Sequence, residues 1–201
     1  MHYKRVMVEP PAVAGQVEVI EFFSYMCPHC ADLAPHLKRW EKTKPANAKV
    51  TYVPAAFRES WILPAKAFYA FEILGVLEKA HPLMFNAIHV QRKPIETPEQ
   101  IADLMTGIVN KQKLLDTLDS FAVDSRLRQG MVRTQKYRIT GVPSIAVNGK
   151  YMTDGGLAGN YDNLLKIIDH LVRLEGRPKP AKAPVTAPIP APAAESTAPQ
   201  P

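Results

Sequence analysis

Cys27 and Cys30 are the two cysteines of the chain, and they stand as Cys27-Pro28-His29-Cys30. A structural disulfide framework uses several pairs at wider spacing. A closed zinc site needs four ligands, and this motif supplies half of one. His36, His81 or His89 could complete such a site, but no His-x-x-x-His pair accompanies the cysteines. The remaining chemistry for two thiols at this spacing is dithiol–disulfide exchange, in which a thiolate is the nucleophile.

The flanking residues favour exchange. Val17 to Phe23 is rich in β-branched and aromatic residues and predicts a buried strand. Ser24, Tyr25 and Met26 predict a turn. Pro28 suits the first position of a helix, where a missing N–H costs nothing. Leu33, Leu37 and Trp40 then recur at helical spacing. Cys27 is thereby placed at a helix N-terminus, where unpaired N–H groups and the positive dipole end stabilise a thiolate.

The rest of the chain must hold that strand–turn–helix. Residues 6–8 predict a short first strand, and residues 49–53 an alternating strand stopped at Pro54. Pro35 should kink the helix that begins at Pro28. From Ser60 the period becomes helical. Helices are expected at about 61–77, 78–90, 97–109, 113–121 and 125–137. The capping signal Thr97-Pro98-Glu99-Gln100 opens the third of these. Strand character returns at 139–151, where Asn148-Gly149 marks a hairpin. A loop is expected at 154–159. Asn160 should cap a last helix closed by Gly176.

Residues 177–201 are mostly proline and alanine without apolar periodicity, and predict a disordered tail. The domains expected are a discontinuous sheet domain (1–59 and 128–176), an inserted helical domain (60–127) and the tail (177–201).

Composition narrows the function further. Of the 201 residues 46% are hydrophobic, enough for a real core, and the net charge is a mild +6. No basic run is interleaved with aromatics, which argues against nucleic-acid binding. No apolar stretch is long enough to span a membrane. The opening Met1-His2-Tyr3-Lys4-Arg5 lacks the apolar region of a secretory signal. The alternatives are a cytoplasmic protein and a mature chain whose signal has been removed.

Ile20-Glu21-Phe22-Phe23-Ser24 leading into Cys27-Pro28-His29-Cys30 resembles the DsbA-type thiol:disulfide oxidoreductases of the thioredoxin superfamily. Gly141-Val142-Pro143, followed by Val147-Asn148-Gly149-Lys150-Tyr151, is similar to that family's second signature. The helical block falls where the family inserts its helical domain. The resemblance spans about residues 17–174 and implies an α/β thioredoxin fold with an inserted all-helical domain.

The resemblance also implies roles. Cys27 is the exposed exchanging sulfur and Cys30 the buried resolving one, together forming the redox-active disulfide. Pro28 and His29 lie between them, and His29 favours the Cys27 thiolate electrostatically. Pro143 is a cis-proline facing the disulfide, with Val142 offering its backbone to an extended substrate and Met26 packing beside it. Glu21 is an acid beneath the site that assists proton transfer at Cys30. Some members pair that acid with a lysine on the following strand, where this chain offers Tyr52 near that point.

The implied activity is introduction of disulfides into secreted or periplasmic polypeptides, with no cofactor and no metal. Substrate would lie in a groove between the helical insert and the Cys27 helix. The implied partners are reduced polypeptides and a quinone-linked membrane oxidase of the DsbB type. A periplasmic monomer is expected. The competing functions are a disulfide reductase or isomerase and a non-enzymatic peptide-binding holdase.

Overall fold

The structure, a computed structural model, describes residues 2–6, 8 and 15–176. A five-stranded sheet runs in the order β1-β5-β4-β2-β3. Its strands are β1 (Lys4–Arg5), β2 (Val17–Phe23), β3 (Ala48–Pro54), β4 (Ser144–Val147) and β5 (Tyr151–Thr153). β2 pairs in parallel with β3 and antiparallel with β4. α1 (Pro28–Thr43) makes the crossover from β2 to β3, as a parallel pair requires.

All seven residues of β2 are buried. Two apolar layers explain that. Val17 and Val19 pack with Leu33, Leu37 and Trp40 of α1 and with Leu164, Ile168 and Leu171 of α8 (Tyr161–Glu175). Ile20 and Phe22, on the opposite face, pack with Val53, Tyr137 and Ile139. A strand covered on both faces reads as a continuous apolar run, which is why Val17–Phe23 was legible.

Between β3 and β4 the chain is helical: α2 (Ile62–Ile73), α3 (Leu77–Phe85), α4 (Pro98–Leu104), α5 (Lys111–Leu118) and α6 (Phe121–Lys136). Their core joins Phe68, Phe71, Met84, Ile101 and Leu114 to Phe23, Tyr25, Cys27 and Cys30. α6 continues past residue 127, where the sequence placed the return to the sheet domain. Beyond that point Arg133 reaches Glu18 of β2, at 2.5 Å, so one helix serves both units.

Several local expectations are met. Thr97 and Gln100 form the full capping box at α4, and Asn160 caps α8. Asn148 and Gly149 both have positive φ, 51° and 65°, as a primed hairpin turn requires.

Others are corrected. The first strand is Lys4–Arg5 rather than 6–8, although Val6 and Val8 N–H groups donate to Lys150 and Gly149. The third helix of the block stops at Leu104, and Gly107 turns the chain with φ of 82°. The expected loop at 154–159 holds a one-turn helix, α7 (Gly155–Ala158), whose end Asp154 caps by accepting from Leu157 N–H. Gly176 closes α8 in right-handed conformation, not left-handed. The tail of residues 177–201 lies outside the described residues.

Candidate active site

β2 and β4 are antiparallel neighbours, so Phe22 at the end of one faces Ser144 at the start of the other. The turn after β2 and the loop before β4 therefore meet at one edge of the sheet. The first carries Cys27, the second Val142 and Pro143. The Val142–Pro143 peptide is cis. The Cys27 Sγ donates to the Val142 carbonyl at 3.3 Å.

Cys27 is the N-cap of α1, with Pro28 in the first turn. Its own carbonyl accepts from the Cys30 and Ala31 N–H groups at 3.1 and 3.2 Å. Cys27 N–H donates to Ser24 O, and Met26 N–H to Ser24 Oγ, which closes the turn before the helix. Cys27, expected to be exposed, is only 8% exposed because the cis-proline loop and the helix start cover it, and Cys30 is fully enclosed. Both are free thiols.

Their environments push the two thiols apart. Cys27 is brought down to about 6, first by a hydrogen bond from the Cys30 thiol. Burial opposes that. The backbone N–H groups of Cys30 and His29 add to the lowering, and the His29 charge comes last. The His29 ring is exposed, with Nδ1 3.9 Å from Asp32. The helix end thus does more for the thiolate than the imidazole does. Cys30 is driven far above the ordinary thiol range, chiefly by burial and then by its bond to Cys27.

Glu21 is buried on the α1 side of β2, 2% exposed. Burial raises its carboxyl to about 8, and the charges of Glu41 and Cys27 add to the rise. Across the β2–β3 ladder its partner is Tyr52. The Tyr52 hydroxyl donates to Glu41 of α1, and Lys38 Nζ lies 3.8 Å from Glu41. The position opposite Glu21 thus holds a tyrosine–carboxylate pair.

Two cavities flank the site. One, of about 620 Å³, is lined by His29, Val142 and Pro143 and by α7 and the start of α8. The other, of about 840 Å³, lies between α1 and α3. The groove expected between the helical block and α1 is the second of these. Neither Val142 nor Pro143 lines it, so the cavity beside the cis-proline lies on the opposite flank. Met26 is half-buried and lines neither cavity.

Two contacts were missed in the sequence. The Tyr161 hydroxyl, from the start of α8, donates to the His29 carbonyl at 3.1 Å. No sequence signal marks a tyrosine for that task. Tyr25, which the sequence placed only in a turn, is 1% exposed and bonded to His81 and His89. The third histidine, His36, turns to Arg39 and Asp162. Among the described residues no three His, Cys, Asp or Glu side chains converge on a metal-sized site.

The chain is similar to proteins already characterised. The family model of the DSBA-like thioredoxin domain matches residues 18–169. The thiol:disulfide interchange protein DsbA of Burkholderia cepacia is 40% identical over 172 residues, covering 84% of this chain and 81% of that protein. The protein of the same name from Pseudomonas aeruginosa is 37% identical over 167 residues, covering 83% and 79%. The crystal structure of Pseudomonas aeruginosa DsbA superposes with a TM-score of 0.82 at 36% identity, over 87% of this chain and 92% of that one. For the oxidoreductase DsbA of Xylella fastidiosa the TM-score is 0.80 at 33% identity, over 87% and 95%. The family model spans most of the chain, and the two DsbA relatives are more than a third identical over most of its length: the chain belongs to the DSBA-like thioredoxin-domain family.

Proposed function

We propose that the protein is a dithiol oxidase that introduces disulfide bonds into polypeptides through Cys27 and Cys30. One observation carries the reading. Cys27 sits at a helix N-cap with its thiol lowered to about 6, against a cis-proline loop, while its partner thiol is pushed far up. The relatives named as thiol:disulfide interchange proteins support it.

The chemistry follows from that asymmetry. A substrate thiolate attacks Cys27 Sγ of the oxidised pair. The Cys27–Cys30 bond breaks, its electron pair leaves on Cys30, and a Cys27–substrate disulfide forms. Cys30 holds a proton tightly, so a buried acid is needed to deliver one. Glu21, neutral below about 8, is the buried acid whose charge couples to both thiols, and we assign it as that donor. A second substrate thiolate then attacks the substrate sulfur, and Cys27 leaves as a thiolate that needs no proton near neutrality. The substrate dithiol is oxidised and the enzyme disulfide reduced, two electrons passing from one to the other.

Pro28 fixes the first turn of α1. His29 contributes its backbone N–H and, less, its ring charge. The Val142 carbonyl, which accepts from Cys27 here, is the edge an extended substrate would use. Pro143 follows it in the loop, and Met26 immediately precedes Cys27 in the facing turn. Reoxidation would fall to a quinone-linked membrane oxidase of the DsbB type, and the compartment would be the periplasm. Among the described residues no helix is long and apolar enough to cross a membrane.

Peptide oxidation with trapping variants tests this. Cys27→Ser should abolish oxidation of a dithiol peptide, and Cys30→Ser should accumulate a Cys27–peptide mixed disulfide. Oxidation by Cys27→Ser at the wild-type rate would defeat the assignment.

A further inference from the structure

Tyr25 lies two residues before Cys27, in the turn that delivers it. Its ring is packed against Phe23, Phe85 and His81, with centroids 5.0 to 5.2 Å away. A phenylalanine would fill that space equally well. The hydroxyl and two imidazoles put polar atoms into an otherwise apolar cluster, which costs free energy unless they satisfy one another. They do. The Tyr25 hydroxyl and His81 Nδ1 share a hydrogen bond of 2.8 Å. The Tyr25 carbonyl, which can only accept, lies 2.7 Å from His89 Nε2, so that nitrogen carries the proton.

Both histidines come from one stretch of the helical block. His81, Phe85 and His89 follow one another along α3 and its continuation, with successive ring centroids 5.0 and 6.2 Å apart. After Phe85 the helix widens into a π turn over Asn86–Val90, and Gln91 N–H donates back to Asn86 O. A π turn inside a helix is a costly irregularity that concentrates at functional sites. His89, four residues after Phe85, lies on the same side of the helix and meets the turn before Cys27.

We propose that His81 and His89 are positioning residues for the exchange reaction, holding the Ser24–Met26 turn from its side-chain and backbone ends so that Cys27 stays at its helix cap. The inference rests on the exchange chemistry proposed above and adds the helical block to the machinery that sets it. The Cys27 thiolate depends on donors fixed in place, the Cys30 thiol and two backbone N–H groups. A turn released from His89 lets Sγ leave those donors, and its affinity for a proton rises. Burial lowers His81 to about 4, with the Lys38 charge adding to it, so the imidazole stays neutral and able to pair with the hydroxyl near neutral pH.

The test compares His89→Leu, His89→Gln and Tyr25→Phe with wild type. Each full-length chain is followed by absorbance titration of the Cys27 thiolate, equilibrium with glutathione, and denaturant unfolding. In His89→Leu the thiolate midpoint should rise by about one unit, from about 6 to about 7. At pH 7 that makes the pair about fivefold less oxidising. Gln offers an N–H at similar reach and should restore both values, and Tyr25→Phe should give a smaller rise. Lower stability with unmoved midpoint and glutathione equilibrium would reduce the histidines to packing and overturn the proposal. So would a Gln variant indistinguishable from Leu. The milder variants decide the matter if His89→Leu fails to fold. A wild-type pair that proved reducing would sink the oxidase reading, yet the differences among variants would still test the positioning role.

Discussion

Cys27 and Glu21 titrate in opposite directions because their surroundings differ, not their chemistry. Cys27 gains donors at a helix end and falls to about 6, whereas Glu21 loses water and rises to about 8. Glu21→Gln should slow departure of Cys30 by about 10²-fold, the usual scale of acid–base assistance. In wild type that step should weaken as pH rises through about 8, where Glu21 ionises, and the variant should lack this limb. Stopped-flow measurement of mixed-disulfide formation across pH checks both statements. The cysteines and their helix end were legible because spacing and Pro28 announce them. The place of Glu21 on the α1 side came only from the family resemblance, because an acid in an apolar strand does not itself say which face it takes. Tyr25 was harder still. Its partners lie 56 and 64 residues away, beyond any local pattern.

Among the elements, those with local chemical signals were read correctly and those set by packing were not. Thr97-Pro98-Glu99-Gln100 and Asn148-Gly149 name a cap and a turn by themselves. The π turn at Asn86–Val90 carries no such signature, and the Asp154 cap of the one-turn α7 is a single residue among glycines that read as a loop. α6 shows how tight the packing is. At Gly130, a helical position, a Cβ would stand 2.2 Å from the Tyr69 hydroxyl of α2 and 3.6 Å from Val53 of β3. A tyrosine ring cannot bend away as a lysine would. Gly130→Ala should therefore destabilise the protein by about 1–3 kcal/mol, despite alanine's better helix propensity. Urea unfolding measures it, and a gain in stability would show that α6 is loosely seated.

For the molecule as a whole, the site couples redox state to folding. In the reduced protein Cys27 binds its proton more weakly when folded than when unfolded, about 6 against an ordinary 9. Between those values the unfolded state holds more protons, so stability rises with pH, and the contribution is lost as pH falls through about 6. The oxidised protein has no such thiol. Glu21 works the other way, its raised carboxyl lowering stability as pH climbs from about 4.5 to about 8. The part due to burial acts in both redox forms, whereas the part due to the Cys27 charge exists only in the reduced one, so the difference between the forms reports the Cys27 thiolate together with its repulsion of Glu21. Denaturant titrations should show the reduced form more stable at pH 7, with the gap widening towards pH 9. A gap independent of pH would place the stabilisation elsewhere.

The equilibrium of the Cys27–Cys30 pair with a glutathione series, with the Cys27 thiolate titrated alongside, bears most directly on the oxidase account. An acidic Cys27 near 6, with a pair that passes its disulfide to glutathione readily, is the predicted result. A thiol titrating near 9 in a pair that glutathione leaves oxidised would contradict it, and would make the protein a reductase instead.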